Sequence, residues 1–369
     1  MQITPYPYYI KATVTLFGVM LFVYCLYAMQ DIIVPLAFAA VVAILLNPLC
    51  NRLQKRKVPR ILAIIITLLL AFIFIGTIMY FLSSQIARFS DSFPMLKEKY
   101  HSIQGQIVHW LQNTYGISIQ KQTEMLNQGL EKGKAFLGQT VTTLLGTIGF
   151  LFLIPVYVFL FLFYKPLILN FLYEVFAEEN SKQVSDILNQ TKSSIQSYMV
   201  GLLLEALVVA VLNSTALLIL GVKYAILIGV IGALLNMIPY LGGLIAIALP
   251  VLMATVTKDG YTTQLGVIGA YIFIQFIDNN ILVPRIVSSK VQINALISIV
   301  AVLLGGSLWG VSGMFLCIPF VAILKIIFDR IDGLKPWGKL LGDEVPTRHK
   351  GEIWNRMRKR PSVSEKVTS

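Results

Sequence analysis

Two long apolar stretches in the C-terminal half, Tyr224 to Val256 and Gln292 to Ile327, are each interrupted midway by a polar, glycine-rich turn. The turns read Asn236-Met237-Ile238-Pro239-Tyr240-Leu241-Gly242-Gly243 and Gly305-Gly306-Ser307-Leu308-Trp309-Gly310-Val311-Ser312-Gly313. A flanking arm of ~14 residues reaches only ~21 Å as a helix, whereas a bilayer core of ~30 Å asks for ~20 residues. Arms this short predict hairpins that enter the membrane and turn back. Irregular backbone at that depth persists only where protein or a water-filled cavity satisfies its polar groups, so paired broken segments point to a translocation site.

The rest of the chain agrees with a membrane setting. Of 369 residues, 56% are hydrophobic and 13% charged, with a mean hydropathy of +0.75, which is far outside soluble usage. The formal charge of +12 sits mostly in short loops and the C-terminal tail, as the positive-inside rule describes. No basic fold or stacking-aromatic motif supports binding to nucleic acid. Cys25, Cys50 and Cys317 all fall in apolar segments without pair spacing or a nearby histidine, so they read as small buried residues.

Apolar runs of spanning length occur at Ala12–Met29, Ile32–Cys50, Ile61–Leu82, Val141–Tyr164, Met199–Leu220 and Thr262–Val283, giving about six full crossings. The first run is longer than a signal h-region and lacks a convincing cleavage site, so it reads as a retained span. Arg52, Lys55, Arg56, Lys57 and Arg60 crowd the loop after the second run, which predicts a cytoplasmic loop. Counting from there puts both termini inside and the segment 84–140 outside. In that segment Tyr100, Ile103, Ile107, Trp110 and Leu111 share one helical face, predicting amphipathic extracytoplasmic helices. On the inner side Val184, Ile187, Leu188, Thr191, Ile195 and Tyr198 keep a similar rhythm and lead into the fifth span.

The predicted layout is therefore spans 1–3 in residues 1–83, the outer segment 84–140, the fourth span with a cytoplasmic amphipathic helix in 141–197, a transport core in 198–328 and a basic tail in 329–369. From Met199 on, the chain reads twice as one span followed by one hairpin. The two units have opposite topology, an inverted repeat whose tips would approach near midplane. The fold class is all-α, a polytopic membrane protein.

Ionisable residues inside spans cost ~2.5–3.5 kcal/mol on insertion scales and call for a functional hypothesis. Glu205 lies about two turns into the fifth span, with Asn213 on roughly the same face. Asp278 sits in the sixth span beside Gln275, Asn279 and Asn280. Such oxygen-rich side chains can hold a proton, a small cation or a polar solute. A hydrogen bond to a neighbouring helix for Glu205, and pairing with Arg285 or solvation for Asp278, are the plainer readings. In the turns, Pro239 breaks the helix, and Gly242 and Gly243 permit tight reversal. Asn236, Tyr240, Ser307, Trp309 and Ser312 could face a small polar ligand, while glycine and serine, with Gly305, Gly306 and Gly310 among them, could instead serve helix packing.

Enzyme chemistry finds little support. Gly310-Val311-Ser312-Gly313 formally matches the GxSG of intramembrane serine proteases, but His101, His109 and His349 all lie outside the spans. No GxGD accompanies Asp278, and a Walker A pattern is missing.

Several stretches together resemble the autoinducer-2 exporter (AI-2E) family of bacterial transporters, over nearly the whole length. They are Asn47-Pro48 through Arg52 to Val58-Pro59-Arg60, Tyr198 and Gly201 with Glu205, the Asn236-x-Ile-Pro-Tyr-Leu-Gly turn, Asp278-Asn-Asn with Pro284, and Gly305-Gly306 through Trp309-Gly310 and Gly313 to Pro319. The resemblance implies a multi-pass protein of the bacterial inner membrane that exports a small polar solute such as autoinducer-2 without ATP or a cofactor. It also implies a homo-oligomer, with a pentamer as the implied subunit number. Some family members look like Na⁺(Li⁺)/H⁺ antiporters, which would make H⁺ or Na⁺ a coupling ion. The family places transport at its broken C-terminal helices, which transfers to Asn236, Pro239, Tyr240, Gly242, Gly306, Trp309 and Gly310. Glu205 and Asp278 join them on physical grounds alone. The competing expectations are solute export, cation/proton antiport, and a non-transporting scaffold that binds envelope partners through 84–140.

Overall fold

The structure, a computed structural model, describes residues 7–90, 105, 148–175, 181–237, 242–258, 260–287 and 293–343. The outer amphipathic helices beyond Ser90, Pro239, Tyr240, the three histidines and the tail beyond Asp343 lie outside the described residues. Among those described, secondary structure is helical apart from one isolated antiparallel bridge between Ile293 and Gly342.

The helices are α1 (Tyr8–Ala28), α2 (Gln30–Lys55), α3 (Arg60–Ser90), α4 (Ile148–Val175), α5 (Ser181–Ile219), α6 (Ala225–Asn236), α7 (Gly242–Thr257), α8 (Thr262–Ile277), α9 (Ala295–Arg330) and α10 (Lys335–Leu341). A π-helical segment, Asp278–Val287, continues α8. Seven of these elements are long and apolar enough to cross a membrane, while α6 and α7 are too short. The chain is an all-α polytopic membrane protein. The six expected crossings correspond to α1–α5 and α8, and the seventh long helix, α9, is the second broken segment.

Three apolar clusters organise the bundle. Ala39, Ala43 and Cys50 of α2 pack with Ala63 and Ile64 of α3 and with Val158 and Leu162 of α4. On its other side α2 meets α5 and α9 through Val41, Ile195, Tyr198, Leu202, Val302 and Leu316. The third cluster wraps the first hairpin, joining Leu217 of α5, Ile228 of α6, Met253 of α7, and Val267 and Tyr271 of α8. Lipid gives no hydrophobic drive between helices, so close approach has to come from small residues. Gly229 is such a site, because a Cβ there would lie 2.4 Å from Ser214 Oγ and 2.6 Å from the Ser214 backbone nitrogen. The α1 surface is exposed along its length.

Helix α5, with 39 residues, is about 58 Å long, nearly twice a bilayer core. Its first turns therefore project beyond the membrane, and the amphipathic face expected there continues unbroken into the span. Basic residues collect at the same end of the bundle. The Arg60 guanidinium donates to the backbone carbonyls of Leu162 (3.2 Å) and Phe163 and lies over the Phe163 ring. Nearby, Lys165 donates to buried Asn47 at 3.0 Å and stands close to Lys192.

Both broken segments reverse direction, and they open at opposite ends. The first leaves the C-terminal end of α5 and runs back along it, so Gly229 meets Ser214 and Gly232 meets Asn213. The second is fastened at the N-terminal end of α5, where Arg330 pairs with Asp186 (3.2 Å) and donates to Gln190 (2.9 Å), and Gln183 donates to the Arg330 carbonyl. Asn294 secures the other foot of this hairpin by donating to the carbonyls of Leu340 (2.7 Å) and Gly342 (3.0 Å) while capping the Ile297 N–H. Span plus hairpin thus occurs twice with inverted sense.

Candidate functional site

The tip of the first hairpin is shaped by two glycines. A Cβ on Gly242 would lie 2.0 Å from the Leu235 carbonyl oxygen and 2.5 Å from Asn236 Cα, so α7 starts pressed against the last turn of α6. A Cβ on Gly243 would lie 2.1 Å from Gln275 Oε1, which seats the tip directly on α8. This close fit brings Asn236, the last residue of α6, to Asp278, whose Oδ2 accepts from Asn236 Nδ2 at 2.8 Å.

Asp278 is where α8 widens into a π-helix. Pro284 lacks the N–H that would close a regular bond to Asn280, and longer-range bonding takes up the slack. Gln275 donates weakly to Asp278 Oδ2 (3.4 Å) and to Asn279 Oδ1 (3.2 Å). Across the seam, Glu205 of α5 lies beside Asp278. Both carboxyls are deeply buried, Glu205 at 5% and Asp278 at 2% exposure.

The chemistry of that pair follows from its donors and acceptors. Ionised carboxylates only accept, so two of them share a hydrogen bond only when a proton lies between. Two bare negative charges so close in a water-poor setting repel strongly. Two neighbouring carboxyls of this kind can hold a proton or a monovalent cation between their oxygens. Three metal-ligating side chains do not gather anywhere among the described residues.

The second hairpin uses its residues differently. Only Trp309 and Gly310 leave helical geometry, Gly310 at φ 60°, ψ −141°, a region open to glycine alone. In a straight helix Gly305 and Gly313 would stand roughly 12 Å apart. Here a Cβ on Gly313 would lie 1.9 Å from the Gly305 carbonyl oxygen, so the arms are in backbone contact. Gly306 faces the flexible Met314 side chain, and Ser307 Oγ donates to Leu303 within its own helix at 2.9 Å. The Trp309 indole N–H donates to the Leu26 carbonyl of α1 at 3.1 Å, and its ring lies against Phe320.

The two tips share one apolar cluster: Met237 of the first and Trp309 of the second both pack against the group that holds Ala301, Val302 and Leu316. The second tip also reaches the last turn of α1 through the Trp309–Leu26 bond.

Of the residues singled out from the sequence, the structure brings Glu205, Asn236, Gln275 and Asp278 together, with Gly242 and Gly243 shaping the contact. Asn279 sits at the exposed edge of the group. Gly305, Gly306, Ser307, Trp309 and Gly310 belong to the second hairpin's closure, with Ser312 half-buried beside them. Asn213 lies with Gly232 and Tyr271 further along α5 rather than with Glu205. Tyr271 and Gln264 were missed. A signal existed in the spacing, since Gln264, Tyr271 and Asp278 recur every seven residues on the buried face of α8.

Comparison with known proteins gives the family. The family model for AI-2E family transporter matches residues 16–333. YrrI of Bacillus subtilis (strain 168), named as a proposed transport protein, is 27% identical over 309 residues, covering 81% of this chain and 86% of its own. The AI-2 transport protein TqsA of Escherichia coli (strain K12) is 24% identical over 315 residues, covering 85% and 90% respectively. With the family model spanning both hairpins and most of the chain, this protein belongs to the AI-2E transporter family.

Proposed function

We propose that the protein is a secondary transporter that exports a small polar solute across the bacterial cytoplasmic membrane, with the Glu205–Asp278 pair as its coupling site. The observation that carries this reading is the buried carboxyl pair braced by Asn236 at the tip of the first hairpin. A proton there is exchanged as the hairpin moves, because the Asn236 contact exists only while the tip is seated on α8. The name of the TqsA relative makes autoinducer-2 the first solute to try. The same pair favours a second reading, monovalent cation/proton antiport, since Na⁺ or Li⁺ could replace the shared proton. Chemistry on the solute has no part in either reading. The basic end of the bundle faces the cytoplasm by the positive-inside rule, which places both termini inside. The exposed apolar flanks of α1 and α3 meet lipid or further copies in a homo-oligomer, for which five subunits is the working number.

Proteoliposomes holding a pH-sensitive dye test the reading. Gradients of autoinducer-2, Na⁺ or Li⁺ should move protons in the wild type, and Glu205→Gln or Asp278→Asn should lower that movement by at least about tenfold, as loss of a hydrogen bond to a charged group would. Unaltered flux in both variants removes coupling from this pair. Should the wild type move none of the three while the segment 84–140 captures an envelope protein, the scaffold reading replaces transport.

A further inference from the structure

At the basic end of the bundle, cations from three helices come together without a counter-ion. Pro166 of α4 has no N–H, so the Leu162 carbonyl loses its helical partner, and Arg60 at the start of α3 takes that place by donating to Leu162 and Phe163. Both bonds come from Nη2, so the guanidinium is fixed while Nε and Nη1 keep their donors for something else. Lys165, one residue before the proline, donates to buried Asn47 of α2 at 3.0 Å. The charged side chains acting on it, Lys192 of α5 and Arg60, are both cations.

Ion pairs among the described residues lie elsewhere, at Lys325–Asp329, Arg330–Asp186 and Lys335–Asp332. On α4 and α5 the nearest carboxylates, Glu174 and Asp186, stand ~13 Å along the helix from Lys165 and ~9 Å from Lys192, and Asp186 is engaged with Arg330. Like charges held this close repel unless an anion lies among them. The turn that leads to Arg60 adds to the charge. Lys57 holds φ 65°, the left-handed position that closes α2 with bonds from Lys57 to Gln54 and from Val58 to Leu53, and that glycine ordinarily takes. A lysine kept there against backbone strain joins Arg52, Lys55 and Arg56.

What borders the cations tells which anion they suit. Ile61 and Leu62 of α3, and Leu167 and Phe171 of α4, present exposed apolar side chains within two turns of Arg60 and Lys165. A soluble phosphate has no use for such a border, whereas a phospholipid brings a phosphate and acyl chains together. We infer that Arg60, Lys165 and Lys192 bind the phosphate of an anionic phospholipid, such as phosphatidylglycerol, in the leaflet at the basic end of the bundle. The headgroup neutralises the three cations and ties α3 and α4 to α5, the helix that carries Glu205 and to which both hairpins are fastened. The inference needs the membrane setting alone and stands whatever the chain transports.

Native mass spectrometry of the full-length protein in a neutral detergent, titrated with phosphatidylglycerol or phosphatidylcholine, tests the site. Lys192→Gln removes a cation that bonds to no protein group among the described residues, so folding is not at stake. Lys223→Gln, just past the other end of α5, is the charge-matched control. Affinity for phosphatidylglycerol should fall about fivefold in Lys192→Gln and about thirtyfold when Lys165→Gln is added, with Lys223→Gln at wild type and phosphatidylcholine binding alike in all. In a thermal melt, phosphatidylglycerol should raise the melting temperature of the wild type more than that of the double variant. Without lipid, Lys192→Gln should melt at or above wild type, because a like charge has gone. Equal phosphatidylglycerol affinity in wild type and double variant overturns the site. So does a lipid-free melt lowered by Lys192→Gln, since the protein itself would then be holding that cation. Stabilisation of the wild type by inorganic phosphate as strong as that by phosphatidylglycerol would make the occupant a soluble anion and overturn the lipid.

Discussion

In the first hairpin the last side chain before the turn, Asn236, reaches across to a buried carboxylate on another helix, whereas in the second the tip side chain, Trp309, donates to a backbone carbonyl of α1. Both are short helix pairs closed by glycines, and they open at opposite ends of α5. Their surroundings differ in kind. The first faces Glu205, Asp278, Asn213 and Tyr271, a seam with polar groups left over. In the second, the polar groups of Ser307 and Trp309 are met by backbone carbonyls. Inverted repeats of one architecture thus differ in what they face, the first hairpin lying on buried carboxyl and amide groups and the second tying its tip to the α1 backbone.

That division breaks most visibly at the second hairpin's closure. Gly313→Ala puts a methyl 1.9 Å from a carbonyl oxygen that cannot move without opening the arms. Overpacking of this kind costs about 1–3 kcal/mol or more, so the variant should melt well below wild type or fail to accumulate. Gly306→Ala is the control, because the atom in its way is the end of the flexible Met314 side chain. Equal losses in the two would mean that the hairpin is not held by the Gly305–Gly313 contact.

Transport draws the contrast from the other side. Asn236→Leu removes the 2.8 Å bond to Asp278 and leaves only the long contact from Gln275, so flux should fall about tenfold and the melting temperature should drop as well, because a buried carboxyl loses its donor. Trp309→Phe removes one hydrogen bond, about 1 kcal/mol of stability, and should keep its flux. A flux defect in Trp309→Phe as deep as that in Asn236→Leu would erase the distinction between the hairpins.

How far the sequence carried these conclusions depended on the residue. Short arms around Gly and Pro gave away both hairpins, since helix length against bilayer thickness is simple arithmetic. Glu205 and Asp278 stood out because charge is rare in an apolar span. Tyr271 did not, for an aromatic amid Val, Ile and Phe reads as packing until its hydroxyl is seen without a partner. The nine residues from Gly305 to Gly313 suggested a broad irregular turn, yet all but two are helical. Their glycines serve the close approach of the arms, a use that looks identical in sequence to a flexible loop. The π-helix at Asp278 was equally hidden, because Pro284 alone does not say whether a helix ends, kinks or widens.

The smallest expected effect concerns the foot of the second hairpin. Arg330 joins α9 to the projecting end of α5 through Asp186 and Gln190, and its own carbonyl accepts from Gln183. Side chains of Arg330 and Asp186 are 36% and 51% exposed, so water and salt screen the pair, and such contacts contribute about 0–1 kcal/mol. Arg330→Gln should therefore lower the melting temperature slightly at low salt, and the difference should vanish as salt rises. The backbone bond to Gln183 survives the substitution, which keeps the two elements in register. If α9 instead moved freely against α5 during transport, the same substitution would raise flux without touching stability. The second hairpin would then be a moving part, and the assignment of motion to the first alone would have to be given up.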